Sequence, residues 1–101
     1  MSANNSNGLT VNTVTTTTDV IDATDDVIVY TNTSAKTATL PAVASVPKGK
    51  VYYISNQATG TVTISPAAGT IDGAATLVVA ATTGRATLIS DGTNWITVNL
   101  A

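Results

Sequence analysis

The sequence predicts an all-β domain: a compact antiparallel sandwich or barrel-like fold with an extended N-terminal arm. Thr, Ala and Val dominate the chain, and β-branched side chains favour strands, Thr suiting half-exposed strand faces. Apolar residues come in short runs or strict alternation, and no window carries a convincing helical period. Gly, Pro and Asp-Gly signals separate these runs throughout, as in sandwiches and barrels.

Residues 1–18 are rich in Asn, Ser and Thr, with only Leu9, Val11 and Val14 as apolar points. They read as the arm, and residues 19–101 as the β-domain. Such an arm is either a docking strand or a frayed terminus. From Asp26 the strand signals strengthen. Asp-Val-Ile-Val-Tyr is an apolar run bounded by polar residues, and Lys36-Thr-Ala-Thr-Leu alternates until Pro41 stops it. A Pro47-Lys-Gly-Lys turn leads into a strand over residues 51–55. Val62 and Ile64 face one way, with Thr61, Thr63 and Ser65 facing the other. A turn at Asp72-Gly73 precedes a strand near residues 75–80, and residues 85–90 and 95–100 form the last pair. In the final strand Trp95, Thr97 and Asn99 share one face, and Ile96, Val98 and Leu100 the other.

Composition removes most chemistry. The chain of 101 residues has no Cys, no His and no Phe, and its six acidic residues are all Asp. That leaves no triad of the usual type, no thiol nucleophile, no disulfide and no zinc or copper site. Neither a catalytic residue nor a metal or cofactor is expected. Four basic residues and a net charge of −2 argue against nucleic acid as a partner. The longest apolar stretch, from Ala74 to Ala81, is far short of the roughly 20 residues that span a membrane. The first residues lack a basic segment and an apolar core, so no secretory signal is read and a cytoplasmic product is expected. Small side chains bury little area each, at about 25 cal/mol per Å². A domain built from them is short of core, and oligomerisation is the common remedy.

Four groups of residues are candidates for a site. Asp19, Asp22, Asp25 and Asp26 could offer hard oxygen ligands to calcium, but the EF-hand order is missing and a solvated turn explains them. Lys48 and Lys50 around Gly49, and Arg85 after Gly84, look like charged turns, with no helix to complete a phosphate loop. The Thr-x-Thr pairs at Thr13/Thr15, Thr31/Thr33, Thr37/Thr39 and Thr61/Thr63 could rank into an ice-binding face on a flat solenoid. Their irregular spacing favours ordinary exposed strand positions instead. Tyr52, Tyr53 and Trp95 could form a surface aromatic platform for a sugar. Trp95 follows the Asp91-Gly92-Thr93-Asn94 turn directly, and there a ring folded across the hairpin closes a small core without any ligand.

Six short motifs, in order, resemble a module of tailed-bacteriophage virion proteins, seen in tail fibres, tail spikes, head fibres and their appendages. They are Thr39-Leu40-Pro41, Gly49-Lys50, Tyr53-Ile54-Ser55-Asn56, Val62-Thr63-Ile64-Ser65-Pro66, Ile71-Asp72-Gly73 and Ser90-Asp91-Gly92-Thr93-Asn94-Trp95. The resemblance covers residues 27–98. It implies a structural, trimeric module with no catalytic residue. A short chain opening on Met1 fits a capsid decoration (cement) protein or short head fibre better than a long shaft. The implied place is the outer capsid surface of the virion, after assembly in the host cytoplasm. The implied partners are the major capsid protein and the chain itself, as a homotrimer. Leu9, Val11 and Val14 on the arm are the expected capsid-docking residues. The alternative is a tail-fibre or receptor-binding module that recognises a host-surface glycan through Tyr52, Tyr53 and Trp95. A glycan-cleaving tail enzyme is disfavoured by the missing Glu and His.

Overall fold

The computed structural model describes residues 8–100. Nine strands follow one another: β1 (Val11–Val14), β2 (Thr18–Val20), β3 (Val27–Tyr30), β4 (Lys36–Leu40), β5 (Val51–Asn56), β6 (Val62–Pro66), β7 (Leu77–Val79), β8 (Arg85–Ser90) and β9 (Trp95–Leu100). A single 3₁₀ turn, Val43–Ser45, is the only helical element among the described residues. The strands expected from Asp26 onward are all present, because each is an alternating or apolar run closed by a turn former.

Their pairing differs from the expected antiparallel plan. The first six strands alternate between two sheets, so the chain winds through three turns of a flattened coil. Sheet 1 has the order β1-β3-β5-β8-β9 and sheet 2 the order β2-β4-β6-β7. Within each, the coil strands run parallel, β1 to β3 to β5 and β2 to β4 to β6. Only β7, β8 and β9 add antiparallel pairs at the far end. The fold is therefore a sandwich of two mixed sheets and not a closed barrel. Alternation in sequence fixes which side chains face inward, but it is silent on the direction of the neighbouring strand.

The inward faces meet in one core. Sheet 1 contributes Ile28, Tyr30, Tyr52, Ile54, Leu88 and Trp95, and sheet 2 contributes Ala38, Leu40, Val62, Ile64 and Val79. Gly60 and Gly84 let loops pass close by: a Cβ on Gly60 would collide with the Ser34 carbonyl, and one on Gly84 with that of Ala80. A bulge interrupts the last pair. Thr87 faces Asn99 while Leu88 faces Thr97, so Val98 is the extra residue. Asn99 thereby leaves the face of Trp95, which corrects the simple alternation expected for this strand.

The arm expected over residues 1–18 is also corrected in part. Residues 1–7 lie outside the described residues, but β1 and the first residue of β2 fall within the remainder. β1 is a full member of sheet 1, and Val14 is buried in the core. Asn- and Thr-rich composition hid it, since four residues with two valines give too short a pattern to count.

Candidate functional site

The three aromatic residues of the expected platform do not come together on the surface. Tyr52 and Trp95 are fully buried, with ring centroids 5.5 Å apart and planes tilted by 48°. Trp95 Nε1 donates to the Pro41 carbonyl at 3.2 Å, and Tyr52 Oη donates to the Asp22 carbonyl at 2.9 Å. Each polar handle is thus satisfied inside, as burial of such rings requires. Tyr53, next in sequence, points to the opposite side of β5 and is 42% exposed. One exposed ring remains of the three that the alternative surface platform needs. The turn before Trp95 is held by Asp91, whose carboxylate accepts from the backbone of Asn94 and Thr93 at 2.7 and 2.8 Å. Those donors, with Asn94 the larger influence, hold the carboxyl below its ordinary value.

The expected capsid-docking residues also separate. Leu9 and Val11 stand out at 56% and 61% exposure, whereas Val14 belongs to the core.

The Asp cluster is used internally. Asp26 accepts from Thr10 N at 2.9 Å and pairs with Lys50 Nζ at 3.3 Å, and these contacts lower its pKa, the Thr10 bond most. Asp25 accepts from Asp22 N at 2.9 Å, and Asp19 accepts from Tyr30 Oη at 3.0 Å. No group of ligating side chains suited to a metal ion is found among the described residues. Burial, together with nearby Asp charges, pushes the Tyr52 phenol up to about 12 and that of Tyr30 higher still.

Lys36 was not singled out from sequence, although it opens a predicted strand. It is buried, and its Nζ donates to the carbonyls of Asn32, Ser34 and Gly60 at 2.5, 3.0 and 3.0 Å. Beside it Asn56 Nδ2 donates to Gly60 and Ala80 carbonyls at 2.7 and 3.0 Å. Three ammonium donors meet three carbonyls, so the group closes one end of the sandwich as a bolt between loops. Burial lowers its pKa.

Two outer faces remain. Sheet 1 turns Val27, Val29, Val51, Tyr53, Ile89 and Ile96 outward, half-buried apart from the more exposed Tyr53. Val11 pairs with Val27, which pairs with Tyr53, so one row of large side chains crosses three strands. Arg85, beyond Ser55, is the only charged strand residue on this face among the described residues. Sheet 2 turns out hydroxyls. Thr18, Thr37 and Thr63 stand in register across three strands, and Val20, Thr39 and Ser65 form the next row. The ranking that irregular spacing argued against is thus present in part, because loops of unequal length absorb the difference. Its second row begins with Val20 and ends with Ser65, so the Thr array is small and incomplete.

No family model matches the chain, and no curated protein is similar to it.

Proposed function

We propose that this chain is a virion structural protein, a capsid decoration or short head-fibre subunit that works as a homotrimer on the outer capsid surface. The observation that carries the reading is the outward face of sheet 1, a continuous run of Val, Ile and Tyr53 across its strands with Arg85 as the one charged strand residue among the described residues. Sheet 2, by contrast, exposes only Val20 and Val78 as large apolar side chains, at its edges. Contact with another copy removes the sheet 1 surface from water.

The roles of the resembling motifs support a scaffold rather than a reaction centre. Pro41 supplies the carbonyl for Trp95, Asn56 ties loops beside Lys36, and Asp91 fastens the last turn. Asp72, in a tight turn with positive φ at Asp72 and Gly73, accepts from Thr97 N and Oγ1 at 3.0 and 2.5 Å. Every polar motif residue named here bonds within the fold. The mechanism is mechanical: many repeated weak contacts add up over a shell through multivalency. The test is a density map of the parent particle. Trimers at repeated positions on the capsid exterior are the expected result, and copies found only at a tail tip would replace this reading with the receptor-binding one.

A further inference from the structure

A sandwich of open sheets has four edge strands, here β1 and β9 in sheet 1 and β2 and β7 in sheet 2. Exposed edges invite pairing with other chains, and proteins blunt them with short strands, bulges, charges or covering loops. Three of the four are blunted. β9 carries the bulge at Val98, and the segment Thr70-Ile71-Asp72 is strapped along it: Trp95 N donates to Thr70 O and Asp72 N to Trp95 O, both at 2.9 Å. β7 and β2 are each three residues long. On β2 the Thr16 hydroxyl already donates to the Thr18 carbonyl at 2.7 Å.

β1 is four residues long, one more than β2 or β7, and has none of the other devices. It holds no Pro, no Lys and no bulge, and it pairs only with β3 among the described residues. Thr10 O and Val14 O accept from Val27 N and Thr31 N, so that register turns residues 10, 12 and 14 toward β3. Val11 and Thr13 therefore aim their amides and carbonyls away from the sheet. Leu9 and Val11 lie exposed along the same edge. Beside its start sit Asp22, Asp25 and Asp26, with Lys50 the one cation bonded to them. Among the described residues the edge is thus unpaired, flanked by apolar side chains and negative at one end.

We infer that β1 is a strand-addition site that takes an extended segment of the capsid coat, with apolar residues at alternate positions and a basic residue facing the Asp22–Asp26 turn. Main-chain bonds to Val11 and Thr13 supply affinity, and the flanking side chains and acidic turn set register and direction. The inference rests on the proposed capsid role and specifies how the contact is made.

Hydrogen exchange followed by mass spectrometry, with capsids stripped of this protein as the probe, tests it on the full chain. In the free protein the Val11 and Thr13 amides exchange fast while Asn12 and Val14 are slow, and binding to capsids protects the first pair. The variant Thr13→Pro removes one outward N–H and none of the β1–β3 bonds. It is expected to keep its circular dichroism and melting temperature while capsid affinity falls about tenfold, the equivalent of one or two main-chain bonds. Protection of Val11 and Thr13 already in the free chain would mean that its own residues or another copy cover the edge, and would overturn the inference. Unchanged affinity of a folded Thr13→Pro protein, or no added protection on capsids in the wild type, would overturn it and leave the capsid role standing. A wild-type chain that fails to bind stripped capsids at all would remove the capsid role itself.

Discussion

The outer faces of the two sheets obey the same alternation yet carry different chemistry. Sheet 1 shows Val, Ile and Tyr53, while sheet 2 shows Thr and Ser in register, with Val20 and Val78 exposed on its two edge strands. Both lie on strands whose inward positions are fixed by one shared core, so the fold does not dictate the difference. Outward positions are free of packing, and there the choice of residue reports what the surface meets. Hydroxyls keep their bonds to water, whereas covering an apolar face gains about 25 cal/mol per Å². The proposed contact face is therefore sheet 1, and sheet 2 is the face richer in hydroxyls.

Changes to the common core break both faces together and have the largest effect. Trp95→Ala is expected to cost roughly 3–5 kcal/mol, because it empties a packed site and strands the Pro41 carbonyl. Thermal or urea unfolding reads this directly, and an unshifted transition would show that the ring does not close the core. Lys36→Met comes next, at about 1–3 kcal/mol for loop carbonyls that lose the ammonium donor, Gly60 alone keeping a second one from Asn56.

Alkaline pH separates the contributions of these buried groups. The Tyr52 pKa is raised in the folded chain to about 12 from 10.0, so its contribution is complete below pH 10 and disappears as pH rises through about 12. Tyr30 acts in the same direction. Lys36 opposes them: its pKa is lowered from 10.5, so the unfolded chain holds the extra proton and folding gains as pH rises toward that value. Melting temperature is expected to fall above pH 10, and to fall more steeply in Lys36→Met.

The faces themselves are distinguished by smaller effects on the fold. Tyr53→Lys places a charge in the middle of the sheet 1 row and is expected to shift subunit stability by no more than about 0.5 kcal/mol, yet to abolish self-association. Light scattering checks the second part. Thr37→Ala on sheet 2, also an exposed position, is expected to change neither quantity. Equal behaviour of these two variants would erase the contrast between the faces.

Strand positions from β3 onward were legible because turn formers such as Pro41, Gly49 and Asp72-Gly73 punctuate them. The buried state of Trp95 was legible for the same reason, since a large ring beside a tight turn has a small core within reach. Parallel pairing was not, because no local signal tells a crossing loop from a hairpin. Lys36 was missed because alternation marks its position as inward but its charge argues outward, and the conflict is resolved only by a loop fold that brings the Gly60 carbonyl to meet those of Asn32 and Ser34. Val14 was missed because β1 is stabilised by β3 rather than by its own composition. The outward faces were legible residue by residue, but their rows were not, since register across parallel strands joins residues separated by unequal connections, such as Val11, Val27 and Tyr53.

Native mass spectrometry of the wild-type chain at micromolar concentration, with Tyr53→Lys measured beside it, tests the contact-face claim most directly. A trimer for the wild type and a folded monomer for the variant is the predicted result. A wild-type chain that is a stable, folded monomer would contradict it.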